Sequence, residues 1–259
     1  YSLTMSLEIK RIVFKFGTKV LADKTTGGFT QERLRALTKD IIPLIKEGKE
    51  VLIVTSGAVG LGRKKLNLSS ALSLEEKQAC AAVGQAHLMS QYNALFQEAN
   101  LNTAQILITA HDLADRKRYL NLQKTLNALL GLGVTPIINE NDVVSTAELQ
   151  SPDKQKSFGD NDRLSALVAA KLNADLLVIL TDVEGVFDDN PNLNPKAKKI
   201  NLIRNLSVID TVATQGKSDL GRGGMQAKLT AARVAALSGI HIIIAPGHQE
   251  NVIAQIFEK

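Results

Sequence analysis

The sequence holds one charged residue inside an apolar run near its start: Ile12-Val13-Phe14-Lys15-Phe16-Gly17. Consecutive apolar residues without polar alternation are typical of a strand that is covered by helices on both faces. An ammonium group in such a strand costs several kcal/mol unless it is paired or reaches a solvated, anionic site. The alternative is an edge strand from which the lysine reaches water. We favour a buried strand that brings Lys15 to an anion-binding site.

Strand-like apolar runs alternate with longer helical patterns on the C-terminal side of this stretch. The predicted strands are 12–16, 51–55, 104–109, 134–138, 176–181 and 240–245, and the predicted helices are 31–47, 74–100, 116–130, 161–172 and 224–238. This alternation predicts an α/β fold, a three-layer αβα sandwich around a mainly parallel open sheet. Thr30 is a predicted N-cap, and Gly48, Gly131 and Gly239 are predicted to end helices.

Two polar stretches depart from the alternation. Residues 145–157 contain Pro152 and two lysines, and we interpret them as a β-hairpin flap that projects from the sheet. Residues 188–199 contain Pro191 and Pro195 and are predicted to form a surface loop. We see no internal repeat and no linker, so we interpret residues 5–259 as a single domain, with Met5 as the expected start.

The composition argues against several classes of protein. The formal net charge of +5 could suggest nucleic-acid binding, but there is no Trp and the aromatic fraction is 4%, so bases have few stacking platforms. No apolar run approaches the roughly 20 residues of a membrane span, and the N-terminus does not resemble a signal peptide. Cys80 is the single cysteine, which excludes an internal disulfide and suits a reducing cytoplasm. We expect it to be buried and inert.

Small and charged residues follow four of the predicted strands. They are Lys15 with Gly17, Ser56-Gly57, Asn139-Glu140-Asn141-Asp142, and Thr181-Asp182. Ligands of open α/β sheets bind beyond the carboxyl ends of the strands, so these residues are expected to converge on one site. Backbone N–H groups at Gly17 and at the Ser56-Gly57 turn suit an anion such as a carboxylate or a phosphate.

Two predicted helices begin with polar or glycine-rich segments. Gly159-Asp160-Asn161-Asp162 contains three Asx residues where capping needs one, and the surplus suggests a cluster that binds an amino group or orients cations. Gly221-Arg222-Gly223-Gly224-Met225-Gln226-Ala227-Lys228 can cradle phosphate oxygens with Lys228 near its first turn. It is neither a Walker A motif nor a dinucleotide fingerprint. The four histidines lie outside these clusters, so a serine-nucleophile triad or a histidine metal site has little support.

Six segments, in order along nearly the whole chain, resemble the amino acid kinase superfamily, and within it the enzymes that phosphorylate the side-chain carboxylate of glutamate. They are Val13-Phe14-Lys15-Phe16-Gly17-Thr18, Ile53-Val54-Thr55-Ser56-Gly57-Ala58, Ile137-Ile138-Asn139-Glu140-Asn141-Asp142, Gly159-Asp160-Asn161-Asp162 with Leu164-Ser165-Ala166, Leu180-Thr181-Asp182, and Gly223-Gly224-Met225 with Lys228. Relatives that act on N-acetylglutamate or UMP are less similar.

The resemblance implies a role for each matching residue. The implied catalytic residues are Lys15 and Lys228, which contact the transferring phosphoryl group, and Asp162, which orients both lysines. The implied glutamate contacts are Ser56, Gly57, Asp142 and Asn161. The implied ATP contacts are Lys15, Gly17, Thr181, Asp182, Arg222, Gly223, Gly224, Met225 and Lys228. No residue is assigned as a direct metal ligand, because Mg²⁺ is expected to arrive bound to ATP.

The resemblance further implies the first reaction of proline synthesis in the cytoplasm, a homo-oligomer (dimer or tetramer), proline as a candidate feedback inhibitor, and a functional link to glutamate-5-semialdehyde dehydrogenase. It implies no nucleic-acid or membrane partner. The sequence departs from the family pattern in its longer flap at 147–158, in Arg222 and in Lys19. The sequence stops at Lys259 without the C-terminal PUA domain that many members of the family carry, and a short natural form and a trimmed chain both stay open. Two rival interpretations stay open: a catalytically silent amino-acid sensor on the same fold, and a nucleic-acid-binding protein.

Overall fold

The computed structural model describes residues 8–23, 28–68, 71–145, 161–189, 191, 193–207, 209 and 222–258. The strands are β1 Arg11–Phe16, β2 Glu50–Val54, β3 Asn102–Ile108, β4 Val134–Glu140, β5 Leu176–Thr181 and β6 His241–Pro246. The helices are α1 Gln31–Lys46, α2 Ala58–Lys65, α3 Leu74–Gln97, α4 Ala110–Ala114, α5 Arg116–Gly131, α6 Asn161–Lys171, α7 Arg222–Leu237 and α8 Val252–Phe257. All six predicted strands and all five predicted helices are present.

The six strands form one sheet in the order β3-β4-β2-β1-β5-β6, and every neighbouring pair is parallel. β1 therefore lies inside the sheet, between β2 and β5, where Lys15 stands opposite Val54 and Ile179. This position excludes the edge-strand interpretation of Lys15. The prediction of a buried strand is confirmed.

Alternate residues of the strands face two separate helical layers. Ile12, Phe14 and Phe16 pack into the core that includes side chains of α1, α3 and α8. Val13 packs into the opposite core, formed with side chains of α5, α6 and α7. Because successive strand residues point to opposite faces, Lys15 shares its face with Val13 and points toward the layer of α6 and α7. The three-layer αβα sandwich is thus confirmed for the described residues.

Local predictions of helix ends can be compared with the structure. α5 ends at Gly131, as predicted, and the residue with left-handed φ that follows it is Gly133, with φ of +70°. Gly48 and Gly239 do have positive φ, and Thr30 accepts a hydrogen bond from Arg33 N–H as a helix N-cap. The helices α2, α4 and α8 were not predicted, because each is too short for a clear 3.6-residue pattern. The predicted flap at 147–158 lies outside the described residues.

No helix in the described ranges has both the length and the apolar character needed to cross a membrane.

Candidate active site

The site lies at the carboxyl edge of the sheet, as expected for parallel strands. A cavity of about 540 Å³ opens there, and six of the predicted site residues line it. These six are Lys15, Gly17, Ser56, Gly57, Asp142 and Asn161. They come from the ends of β1, β2 and β4 and from the start of α6, so the cavity exists only because the sheet brings these elements together.

Lys15, Asp162 and Lys228 form a buried charged cluster beside this cavity. The Nζ atom of Lys15 lies 2.5 Å from Oδ1 of Asp162, and Nζ of Lys228 lies 3.1 Å from Oδ2. The three residues are only 5%, 1% and 9% exposed. Two ammonium groups thus share one carboxylate, which gives these three residues together a net positive charge at a site with little water. Such a charge attracts an anion much more strongly than it would in bulk solvent.

The cluster is held by the packing of α6 on α7. Ala166 and Ala169 of α6 and Ala231 and Ala235 of α7 are buried in the same core. Small side chains let the two helices approach closely, which brings Asp162 in the first turn of α6 to the Lys228 ammonium group. Ser165 reinforces this turn by donating a hydrogen bond of 2.6 Å from its Oγ to the Asp162 carbonyl.

The turn between β2 and α2 presents an anion-binding geometry. Gly57 is the N-cap of α2 with φ of 105°, a conformation that side chains other than glycine rarely adopt. Gly57 has no side chain to cap the first amides of α2. These amides face the cavity, at the positive end of the helix dipole. Ser56 lines the cavity beside them.

Amide side chains form the part of the wall next to this turn. The Nδ2 group of Asn161 donates to Oγ of Ser56 at 2.7 Å and to Oδ1 of Asn139 at 3.4 Å. Oδ1 of Asn161 is buried, and it has no hydrogen-bond partner among the described residues. A buried acceptor of this kind costs free energy unless a ligand donates to it. The wall therefore suits a ligand with an N–H or ammonium group.

A second group of predicted residues lies at the ends of β1 and β5. Nζ of Lys19 forms an ion pair of 2.9 Å with Oδ2 of Asp182, and Thr181 precedes this carboxylate in the chain. Burial alone would raise the pKa of Asp182, but the hydrogen bond and the charge of Lys19, with the charge of Lys228, outweigh it and lower the pKa. Asp182 is therefore an anion at neutral pH.

The remaining predicted residues lie at the start of α7, which begins at Arg222. The side chains of residues 222–224 and the preceding Gly221 are outside the described part of the protein. Met225 is partly buried and packs against an apolar cluster that contains Val186 and Leu229. Gly159 and Asp160, predicted at the start of α6, also lie outside the described residues.

Sequence reasoning missed two charged residues of the cavity wall, Arg63 and Lys77, and gave no individual role to a third residue of the wall, Asn139. Asn139 follows the apolar part of β4 in the polar run that we had singled out, so its position was available as a signal. Arg63 of α2 and Lys77 of α3 had no such signal in the sequence, because they reach the cavity only through the packing of these two helices.

The fold and this edge define an α/β protein with two buried lysines at the carboxyl edge of a parallel sheet. The sequence profile of the Amino acid kinase family matches residues 10–246, and the chain belongs to this family. Relatives named glutamate 5-kinase include those of Bartonella henselae (43% identical over 249 residues), Dehalococcoides mccartyi (44% over 249) and Trichlorobacter lovleyi (45% over 248). These alignments cover 95% of this chain and 64–65% of the relatives, so the chain spans just under two thirds of their length.

Solved structures with the same fold include UMP kinase from Bacillus anthracis, with a TM-score of 0.60 and 20% identity over 93% of this chain and 88% of that one. Carbamate kinase from Giardia lamblia, whose structure contains AMP-PNP, has a TM-score of 0.64 and 18% identity over 93% of this chain and 94% of that one. At this identity the likeness shows the fold alone.

Proposed function

We propose that the chain catalyses the ATP-dependent phosphorylation of the γ-carboxylate of L-glutamate, the reaction of glutamate 5-kinase. The observation that carries this proposal is the buried Lys15–Asp162–Lys228 cluster beside a cavity whose walls suit a carboxylate and an ammonium group. The relatives of similar sequence bear the same name.

Glutamate fits the chemistry of the cavity walls. The Ser56-Gly57 turn offers hydroxyl and backbone N–H groups for a carboxylate. Asp142 and the Oδ1 atom of Asn161 offer acceptors for a protonated α-amino group. A free amino acid satisfies both walls at once, whereas a ligand without the amino group leaves the Asn161 acceptor buried and unsatisfied.

The reaction needs no general base. A glutamate side chain has a pKa near 4.3, so at neutral pH it is already a nucleophile. The obstacle is the repulsion between this carboxylate and the phosphate to which it must come close. Lys15 and Lys228 offset the repulsion, and they stabilise the charge of the phosphoryl group as it moves between the two oxygens. Asp162 holds both ammonium groups in place for this task.

ATP would lie at the ends of β1 and β5 and at the start of α7, with Gly17, Thr181, Asp182 and the 222–225 turn as its contacts. The positive charge of the lysine cluster and the glycine at the end of β1 suit its phosphates. No group of three or more metal-ligating side chains occurs in the described ranges. A Mg²⁺ ion that enters on the phosphates would neutralise part of their charge.

The assignment extends to the biology of such an enzyme. We propose that the reaction is the first step of proline synthesis, in the cytoplasm, with proline as a candidate feedback inhibitor. We further propose a dimer or tetramer, whose acyl phosphate product is passed to glutamate-5-semialdehyde dehydrogenase.

The test is release of ADP from Mg-ATP, with hydroxylamine to trap any acyl phosphate. L-Glutamate is compared with aspartate, N-acetylglutamate and UMP as acceptors. We expect hydroxamate only with L-glutamate. Turnover with a different acceptor would keep the phosphotransfer chemistry and reject the substrate, and glutamate binding without turnover would favour the sensor interpretation.

A further inference from the structure

A chain of four side-chain amides runs from the edge strand to the cavity. Nδ2 of Asn139 donates to Oε1 of Gln85 at 2.9 Å, and Nε2 of Gln85 donates to Oε1 of Gln105 at 3.1 Å. At its inner end Asn161 donates to Asn139, as described above. Gln85 lies on α3 and Gln105 on β3, while Asn139 and Asn161 line the cavity.

The donor-to-acceptor direction of this series of amide hydrogen bonds is fixed at Asn139. The backbone N–H of Glu140 can only donate, and it donates to Oδ1 of Asn139 at 2.9 Å. The Nδ2 group of Asn139 must then face Gln85, which has to present its oxygen. Asn139 and Gln85 are both buried, 2% and 8% exposed, so water is a poor substitute for either partner.

The orientation of Asn161 follows from that of Asn139. The hydroxyl of Ser56 can donate or accept, so its contact with Asn161 allows either orientation of the amide. Oδ1 of Asn139 can only accept, so Asn161 must turn its Nδ2 group toward it. This leaves the Asn161 oxygen as an acceptor for a ligand, and the opposite orientation would offer a donor instead.

We propose that Gln85 is a positioning residue: by holding Asn139, it keeps the Asn161 oxygen available and so makes the site select ligands with a protonated amino group. Gln85 does not itself line the cavity. The inference rests on the proposed function, because it assumes that the ligand is an amino acid.

The test compares L-glutamate with glutarate, a dicarboxylate of the same length that lacks the amino group. Gln85→Met keeps the size of the side chain and removes the acceptor. We expect it to raise the KM for L-glutamate by about tenfold, the effect of weakening one hydrogen bond to a charged group. The KM for glutarate should stay within about twofold, and kcat with either substrate should change little.

Two further variants make the comparison specific. Gln91→Met is the matched control, the same substitution on the same helix outside the amide chain, and should leave both KM values unchanged. Gln85→Glu keeps an acceptor for Asn139, and the exposed Gln105 can rotate its amide to donate, so L-glutamate selectivity should return. Equal losses for both substrates in Gln85→Met, or no recovery in Gln85→Glu, would overturn the inference.

A measurement on the full chain without ligand separates this inference from the proposed function. In side-chain amide NMR spectra, the Nδ2 hydrogens of Asn139 should exchange slowly with solvent, and faster in Gln85→Met. If the unaltered chain shows no glutamate-dependent turnover, the proposed function fails while this exchange still decides the role of Gln85. Equal exchange rates of the Asn139 Nδ2 hydrogens in the two proteins would refute the role of Gln85.

Discussion

Replacement of Gly84 by alanine should damage the site from a distance. Gly84 lies on α3 where this helix crosses α2, and Gly62 lies on the other side of the crossing. A Cβ atom at position 84 would stand 1.8 Å from the carbonyl oxygen of Ala58 and 2.6 Å from the amide nitrogen of Gly62. All of these neighbours are backbone atoms, so no side chain can move aside.

The size of the effect follows from this distance. Ordinary contact between nonbonded atoms is about 3.5 Å, so α2 has to retreat by roughly 1.5 Å at this crossing. Overpacking of this kind costs about 1–3 kcal/mol, and we expect the upper end because the obstacle is backbone. Ala58 is the first residue of α2, directly after the Ser56-Gly57 turn. The movement therefore displaces the turn that is proposed to bind the substrate carboxylate, and affinity should fall by at least about tenfold.

Urea denaturation and the dependence of turnover on glutamate measure the two effects in one protein. The matched control is Gly131→Ala at the end of α5, where an added Cβ meets nothing within 4 Å. It should stabilise the helix by up to about 1 kcal/mol and leave the KM unchanged. If Gly84→Ala proved as stable and as active as the control, the idea that this crossing positions the turn would be wrong.

Three further predictions concern charged residues of the site. Lys15→Ala or Lys228→Ala should lower kcat by on the order of a hundredfold or more, with near-native circular dichroism, because Asp162 keeps one lysine partner in either variant. Asp142→Ala should chiefly raise the KM for glutamate, and an unchanged saturation curve would argue against substrate contact. Lys19→Ala should raise the pKa of Asp182 in an NMR titration, since it removes the contact that outweighs burial. Stability should change by less than about 1 kcal/mol at pH 7, because Lys19 is exposed, and any loss should fade as the pH falls from the ordinary Asp pKa of 3.8 through the lowered pKa of Asp182.

The layered fold was predictable because its signals are local and strong. Five consecutive strand residues such as 176–180 are apolar, and each is buried between two helical layers. The order of the strands in the sheet was not predictable in this way. β1 lies between β2 and β5, which are separated by more than a hundred residues, and no local pattern states which strand takes which neighbour. For Lys15, the sequence alone indicated that an ammonium group in a covered strand is unfavourable without a partner.

The site was predictable to the extent that polar residues stood next to apolar strands. Lys15 and Asp142 are exceptions to a hydrophobic pattern and can therefore be recognised in the sequence. Arg63 and Gln85 cannot be recognised in this way, since polar residues are common in helices and only the helix crossing decides where their side chains point. Candidate site residues inside α2 and α3 are thus found only from packing, whereas those at strand ends and at the starts of α6 and α7 are found from the sequence.

The shared carboxylate of Asp162 explains how the fold can hold two buried lysines without losing their attraction for phosphate. Without a carboxylate, two neighbouring buried ammonium groups would repel each other and would each lack a partner, which costs several kcal/mol. With one carboxylate for each lysine, the cluster would be neutral and would offer little to an incoming anion. A single carboxylate with one oxygen for each ammonium stabilises the resting protein and leaves these three residues together with a net positive charge. Because Asp162 is 1% exposed, water cannot screen that charge, and it acts on the cavity where the phosphoryl group is proposed to pass.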